Sequence, residues 1–269
     1  MLTNHHDKMT ITKFLKKIVK GLFSSVNKSH LLEYYQLRKN ESSTLVYIRN
    51  YYKSFLFEGI KVFDIGANVG NYSKVFIESG AKVIAVEPQS HCRKILQLRF
   101  SKNSNLIIAP FALGPSEGVA EIYKPASHTI ASMNTNWIDK VKASDRFNGE
   151  EWNKKEVVNV QTVDYLIAKY YKPDYIKIDV EGFELEVLKG LTAPVSFISF
   201  EITLPEALDA AKKCVDYISN LGNYRFIMPS EFIMQKNEWM NNDELILHLN
   251  DLALKGEFVS ADIFCKLYE

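Results

Sequence analysis

Beyond residue 55, short apolar runs alternate with stretches in which apolar residues recur at three- and four-residue steps. The runs Ile60 to Ile65, Lys82 to Glu87 and Asn105 to Pro110 are bounded by turn residues and are apolar at successive positions. Strands read this way when both faces of their sheet are covered. Between them the spacing predicts helices over Tyr72 to Ser79 and Ser90 to Phe100. A second series follows: strand Asp174 to Asp179, helix Phe183 to Leu191, strand Val195 to Ile202, helix Pro205 to Leu221, then strands Arg225 to Met228 and Asp262 to Tyr268. This β-α rhythm implies a doubly wound, mostly parallel α/β sheet. Two alternating, β-branched runs, Gly118 to Tyr123 and Val157 to Thr162, interrupt the rhythm, with Trp137 and Trp152 in the polar segment between them. Residues 116-159 are therefore read as a β and loop insertion lying over a cleft as a lid or substrate rim.

Ahead of this domain, Ile11, Phe14, Leu15, Ile18, Val19, Leu22 and Phe23 form one stripe of a helix, and Lys13, Lys16, Lys17 and Lys20 form the other. Such a basic amphipathic helix has two uses: peripheral contact with an anionic membrane, or packing of its apolar stripe on the main domain. The economical division is an N-terminal helical extension over 1-55 and one catalytic domain over 56-269. Apolar stretches fall short of the roughly 18 residues that span a bilayer, and no small-residue cleavage site follows the N-terminal apolar positions.

Composition narrows the function. With 46% hydrophobic and 24% charged residues the chain reads as a soluble globular protein, and a net charge of +1 gives no field to attract nucleic acid. Cys92, Cys214 and Cys265 are odd in number and widely spaced, which argues against a disulfide framework or a zinc site and favours a reducing, cytoplasmic setting.

Two motifs carry chemistry. Val62 to Ser73 is an apolar strand running into a glycine loop, Gly66-Ala67-Asn68-Val69-Gly70, and the next strand ends in Glu87. Gly66 and Gly70 can take positive φ and let the backbone approach a ligand, while Glu87 stands where a carboxylate accepts from both ribose hydroxyls. The loop lacks the third glycine of a pyrophosphate cradle, and Asp64 before it would repel a diphosphate but suit the ammonium of a methionine moiety. S-adenosylmethionine is favoured over a dinucleotide on these grounds. Structural roles compete: Asp64 as a helix cap and the glycines as turn residues. In the second motif, Asp174 to Gly190, a buried strand ends at Asp179 and a short loop carries Glu181 and Gly182 into a helix. Ligands of open α/β sheets sit outside the carboxyl ends of strands, so Asp179 and Glu181 are expected in the same crevice as Asp64 and Glu87.

At these residues the chain resembles the FkbM-type S-adenosylmethionine-dependent methyltransferases. The resemblance is carried by Asp64 to Gly70, Val86-Glu87-Pro88, Ala112-Leu113-Gly114 and Ile176 to Gly182 with Glu184 and Leu188 to Gly190, over about Lys61 to Glu201. It implies a class I methyltransferase (Rossmann-like) sheet of seven strands with the last antiparallel, cofactor contacts from Asp64, Gly66, Asn68, Gly70, Glu87, Ala112 and Leu113, and O-methylation of a hydroxyl on a sugar, glycan or natural product. The chain departs from the family at Ala131-Ser132-Met133, where one serine stands in place of a common pair.

A hydroxyl acceptor must lose its proton as the new bond forms. Asp179 is the first choice of base, Glu181 and Glu201 are further carboxylates at strand ends, and His128 in the insertion is a rival base. His128 and Ser132 are expected on the substrate side, and Lys177 is expected to point away from the cleft. No metal is expected, because no third ligand joins Asp179 and Glu181 at recognisable spacing. A dinucleotide-dependent oxidoreductase and a non-catalytic module built on a cofactor fold are the alternatives.

Overall fold

The computed structural model describes residues 25–39, 42–52, 56–125, 129–144, 146–147, 149–228, 239–256 and 258–269. The basic helix expected over residues 11–23, and His128, lie outside these described residues. The chain divides into two compact units, Met1–Glu41 and Ser42–Glu269. In the first, the described residues form helix α1 (Ser25–Lys39). The second starts before residue 56, because α2 (Ser42–Tyr52) buries Leu45, Ile48 and Tyr52 in a core cluster.

In the second unit, β1 (Lys61–Ile65), β2 (Lys82–Val86), β3 (Leu106–Ala109), β7 (Tyr175–Ile178), β8 (Phe197–Leu204), β9 (Tyr224–Ile227) and β10 (Val259–Leu267) form one sheet. Its order is β3-β2-β1-β7-β8-β10-β9. All pairs up to β7–β8 are parallel, and β10 runs antiparallel to both of its neighbours. Helices α3 (Asn71–Glu78), α4 (Ser90–Phe100), α6 (Val163–Lys169), α7 (Glu184–Leu188), α8 (Leu208–Leu221) and α9 (Asn242–Leu254) complete the α/β arrangement.

Alternation along each strand explains how the sheet is covered. Phe63, Ile65, Ile176, Ile178, Ile198 and Phe200 join one cluster with Leu188 of α7, Val215 and Ile218 of α8 and Leu249 of α9. The intervening Val62, Val83 and Tyr175, with Phe264 of β10, join a second cluster with Tyr52 of α2 and Val75 and Phe76 of α3. Each fully buried large side chain contributes about 1.5–3 kcal/mol, so both faces are firmly held.

The insertion is more than strands and a loop. A second sheet, β4-β6-β5, is built from β4 (Ala112–Leu113), β5 (Gly118–Lys124) and β6 (Lys154–Gln161), and helix α5 (Thr135–Ala143) lies between β5 and β6. Trp137, Ile138 and Val141 of α5 cluster with Trp152 and with Ala207, just before α8. Asn134 caps the helix, its side chain accepting from the Trp137 N–H.

Candidate active site

Strand order reverses at β1, with β2 on one side and β7 on the other, and this is where open α/β sheets bind ligands. A cavity of about 260 Å³ lies there, bordered by Gly66, Asn68, Glu87, Ala112, Leu113, Asp179, Glu181 and Glu201. Ile122, Thr129, Ala131 and Met133 add a wall from the insertion.

The glycine loop is shaped by its protein neighbours. Gly66 has φ +83°, and a Cβ there would lie 1.8 Å from the Asp179 carbonyl oxygen. Gly70, also at +83°, would press its Cβ to 2.6 Å from Leu96 Cδ2 and 2.7 Å from Phe100 Cε2. Both glycines take the positive φ expected of them, and packing also leaves no room for a Cβ at either. Gly66 borders the cavity, whereas Gly70 stands behind it at the start of α3. Asn68 takes φ +50°, an uncommon value for a non-glycine residue, and its N–H donates to Glu87 Oε2 at 2.7 Å. The Gln89 N–H donates to Oε1 at 2.7 Å.

Glu87 is therefore held from both sides, 2% exposed, with lone pairs left for further donors. Burial pushes its pKa up to about 7 against the opposing backbone hydrogen bonds. An ester phosphate would find no lysine or arginine among the described residues bordering the cavity. A ribose diol, which donates and carries no charge, suits the Glu87 carboxylate.

Asp64 departs from expectation. It is 1% exposed and does not border the cavity; its Oδ2 accepts from Ser73 Oγ at 2.5 Å beneath the loop. Burial raises its pKa to about 6, with Lys177 opposing. Lys177 does not border the cavity but reaches a residue that does. It is fully buried and donates to Asp179 Oδ2 at 2.7 Å, because residues i and i+2 of a strand share a face. Asp64 on β1 is its cross-strand partner, and the Tyr72 ring lies 4.0 Å from Nζ.

Beyond β7 the chain turns sharply, with Glu181 at φ +54° and Gly182 at +85°. Four groups hold this loop. Ser132 Oγ donates to the Glu181 carbonyl at 2.6 Å, and Asn134 Nδ2 to the Gly182 carbonyl at 2.5 Å. The Glu184 carboxylate accepts from the N–H groups of Val180 and Gly182 at 3.2 and 3.1 Å. Trp137 packs so closely on Gly182 that a Cβ there would lie 2.3 Å from its ring. Ser132, expected to face substrate, is 1% exposed and supports Glu181 instead. Sequence reading passed over Lys177, Asn134 and Trp137 as parts of the site, although Asn134 three residues before Trp137 is a helix-start signal.

Asp179, Glu181 and Glu201 bring carboxylate oxygens within 4.8 Å of one another. The third acid, Glu201, was expected at a strand end but not as a third oxygen donor beside Asp179 and Glu181; it comes from β8, and its Oε1 accepts from Ser260 Oγ at 2.8 Å. Burial pushes Glu181 and Glu201 well above the usual carboxylate range, and the charge of Asp179 adds to both. Acidic oxygens this close share a proton or a cation.

Seven strands with β10 alone reversed, and an acid at the end of β2 facing a loop after β1, define the fold of the class I S-adenosylmethionine-dependent methyltransferases. Residues 64–228 match the methyltransferase FkbM domain, more than half of the chain, and the chain belongs to that family. Its cofactor is S-adenosylmethionine. The chain is 29% identical over 142 residues to the hexuronic acid methyltransferase AglP of Haloferax volcanii, which covers 52% of this chain and 54% of that protein. It is 29% identical over 157 residues to the methyltransferase sdnD of Sordaria araneosa, covering 48% of this chain and 60% of that one. It thus spans little more than half the length of either relative. A solved precorrin-6y C5,15-methyltransferase from Geobacter metallireducens superimposes with a TM-score of 0.42 at 10% identity, over 82% of this chain and 86% of that one.

Proposed function

We propose that this chain methylates a hydroxyl group on an uncharged sugar, glycan or natural product, forming a methyl ether. The observation that carries the reading is the placement of Asp179. It follows β7 at the strand-order reversal, borders the same cavity as Glu87, and keeps a partly exposed carboxylate. When bound, S-adenosylmethionine supplies an electrophilic methyl group and keeps the bonding electron pair as a neutral thioether.

The protein's own residues do the rest. Glu87 accepts from ribose hydroxyls and fixes the nucleoside end, while Ile122, Ala131 and Met133 add apolar surface to the same cavity. Holding an acceptor oxygen about 3 Å from the reacting carbon can remove up to roughly 7–11 kcal/mol of barrier. Asp179 takes the hydroxyl proton as the acceptor oxygen becomes an ether, assistance worth about 10²–10⁴-fold. A carboxylate acceptor fits poorly, since it would stand against Asp179, Glu181 and Glu201 with no lysine or arginine among the described residues of the wall. The net charge of +1 supports a small or glycan acceptor rather than nucleic acid, and three buried thiols outside any disulfide support a cytoplasmic setting.

The test is transfer of labelled methyl from S-adenosylmethionine to the methyl glycosides of glucose, galactose and mannose, with glucuronate and galacturonate alongside. Label that survives mild base, as an ether does, is the expected result. Label lost in base, as from an ester, would overturn the hydroxyl assignment.

A further inference from the structure

We propose that Lys177 is a positioning residue for the methyl transfer, acting through Asp179 and through no contact of its own with the acceptor. The inference rests on the reading of Asp179 as the group that takes the hydroxyl proton.

Exposure separates the two partners. The Lys177 side chain is 1% exposed and that of Asp179 is 24% exposed, so the ammonium cannot reach an acceptor while the carboxylate can. Among the described residues, no other side chain donates a hydrogen bond to Asp179. One oxygen, Oδ2, is fixed by a charge-assisted bond at 2.7 Å, which leaves Oδ1 as the acceptor edge toward the cleft. The ammonium is itself pinned. The Tyr72 ring lies 4.0 Å from Nζ, Asp64 is the cross-strand neighbour on β1, and Ser199 is the neighbour on β8. Asp262 of β10 also acts on it electrostatically.

The same arrangement ranks three clustered acids. No side-chain donor reaches the Glu181 carboxylate among the described residues, and Glu201 has a neutral hydroxyl, that of Ser260. Of the three, only Asp179 has a cation in contact among the described residues, with Lys177 Nζ 2.7 Å from its Oδ2. Packing alone gives no reason for a lysine here, because replacing a buried ion pair by apolar residues of similar volume is often neutral or stabilising. The alkyl stem emerges from the middle of a strand whose other residues, Tyr175, Ile176 and Ile178, are all buried.

A double-mutant cycle reads this coupling. Lys177→Met, Asp179→Asn and the double variant are compared with wild type for S-adenosylhomocysteine affinity and for kcat and KM, on whichever of the three methyl glycosides the wild type turns over fastest. Lys177→Met is expected to lower kcat at least tenfold, with acceptor KM and S-adenosylhomocysteine affinity within about threefold of wild type. The double variant is expected to match Asp179→Asn within about twofold, since a positioning residue has nothing left to position. A further fall of fivefold or more in the double variant would show that Lys177 acts independently and would overturn the inference. That comparison decides the matter even if Lys177→Met alone does not fold, because the double variant removes the buried ammonium and its partner carboxylate together. Full activity of Asp179→Asn, or turnover of none of the glycosides by wild type, would instead remove the reading of Asp179 on which the inference rests.

Discussion

Glu87 titrates within the range in which the protein would be assayed, and its environment gives the sign of the effect. Burial lifts its pKa to about 7, so below that value the cofactor-free protein holds the proton. Two ribose hydroxyls need an ionised acceptor, and binding at lower pH must expel this proton first. S-adenosylhomocysteine affinity should therefore be level above pH 8 and fall toward pH 6, by at most about tenfold per unit. Glu87→Ala should abolish that slope and cost about 1–3 kcal/mol of binding. Calorimetric titrations at four pH values check it, and a flat wild-type profile would contradict the assignment. Gly66→Val tests a different residue-scale point. Its φ of +83° alone costs a side chain about 1–3 kcal/mol, and the collision with the Asp179 carbonyl adds to this, so a urea midpoint should fall even without ligand. The glycines and Glu87 were legible as a site because chain punctuation marks them. Their partners were not, since the carbonyl that excludes a Cβ at Gly66 is more than a hundred residues away. Lys177 was legible in principle, because two residues' separation on a strand already puts it on the face of Asp179.

Helix α5 links the acceptor wall to the carboxylate loop. Trp137 donates from Nε1 to Thr203 Oγ1 at 3.0 Å, packs on Gly182 and meets Trp152 edge to face. Trp137→Ala should cost about 3–5 kcal/mol in chemical unfolding and lower kcat, because the Glu181 turn loses its cover. Unchanged turnover in a folded variant would mean that the loop holds itself. Strands β1, β2 and β7 were readable to within a few residues, since both faces of their sheet are buried and each is a short apolar run. Helices α5, α6 and α9 escaped, although Asn134, Thr162 and Asn241 each accept from an N–H in the first turn of the helix they cap. The caps were the better signal.

At the scale of the molecule, one end of the sheet gathers acids against the preference of burial. Asp64, Glu87 and Glu184 are raised to about 6, 7 and 7, and Glu181 and Glu201 are raised as well. A raised acid favours the folded state while protonated; that stability is complete below the unfolded values near 4 and is lost as pH rises through 6 to 7. The cofactor-free protein should therefore melt at a lower temperature at pH 8 than at pH 5.5, and calorimetry showing the opposite order would contradict this. Gathering these acids is a long-range act. Strand alternation showed where β7 and β8 run, but only the pairing of Lys177 with Ser199 brings Glu201, two residues on, level with Asp179. The central claim is that this cleft binds the cofactor and that Asp179 performs the proton transfer. Its most direct test is single-turnover methyl transfer to a methyl glycoside by wild type and Asp179→Asn, each saturated with S-adenosylmethionine. A fall of at least about 10²-fold with cofactor affinity near that of wild type is the predicted result; an undiminished rate in a less stable protein would contradict it and leave Asp179 a structural role.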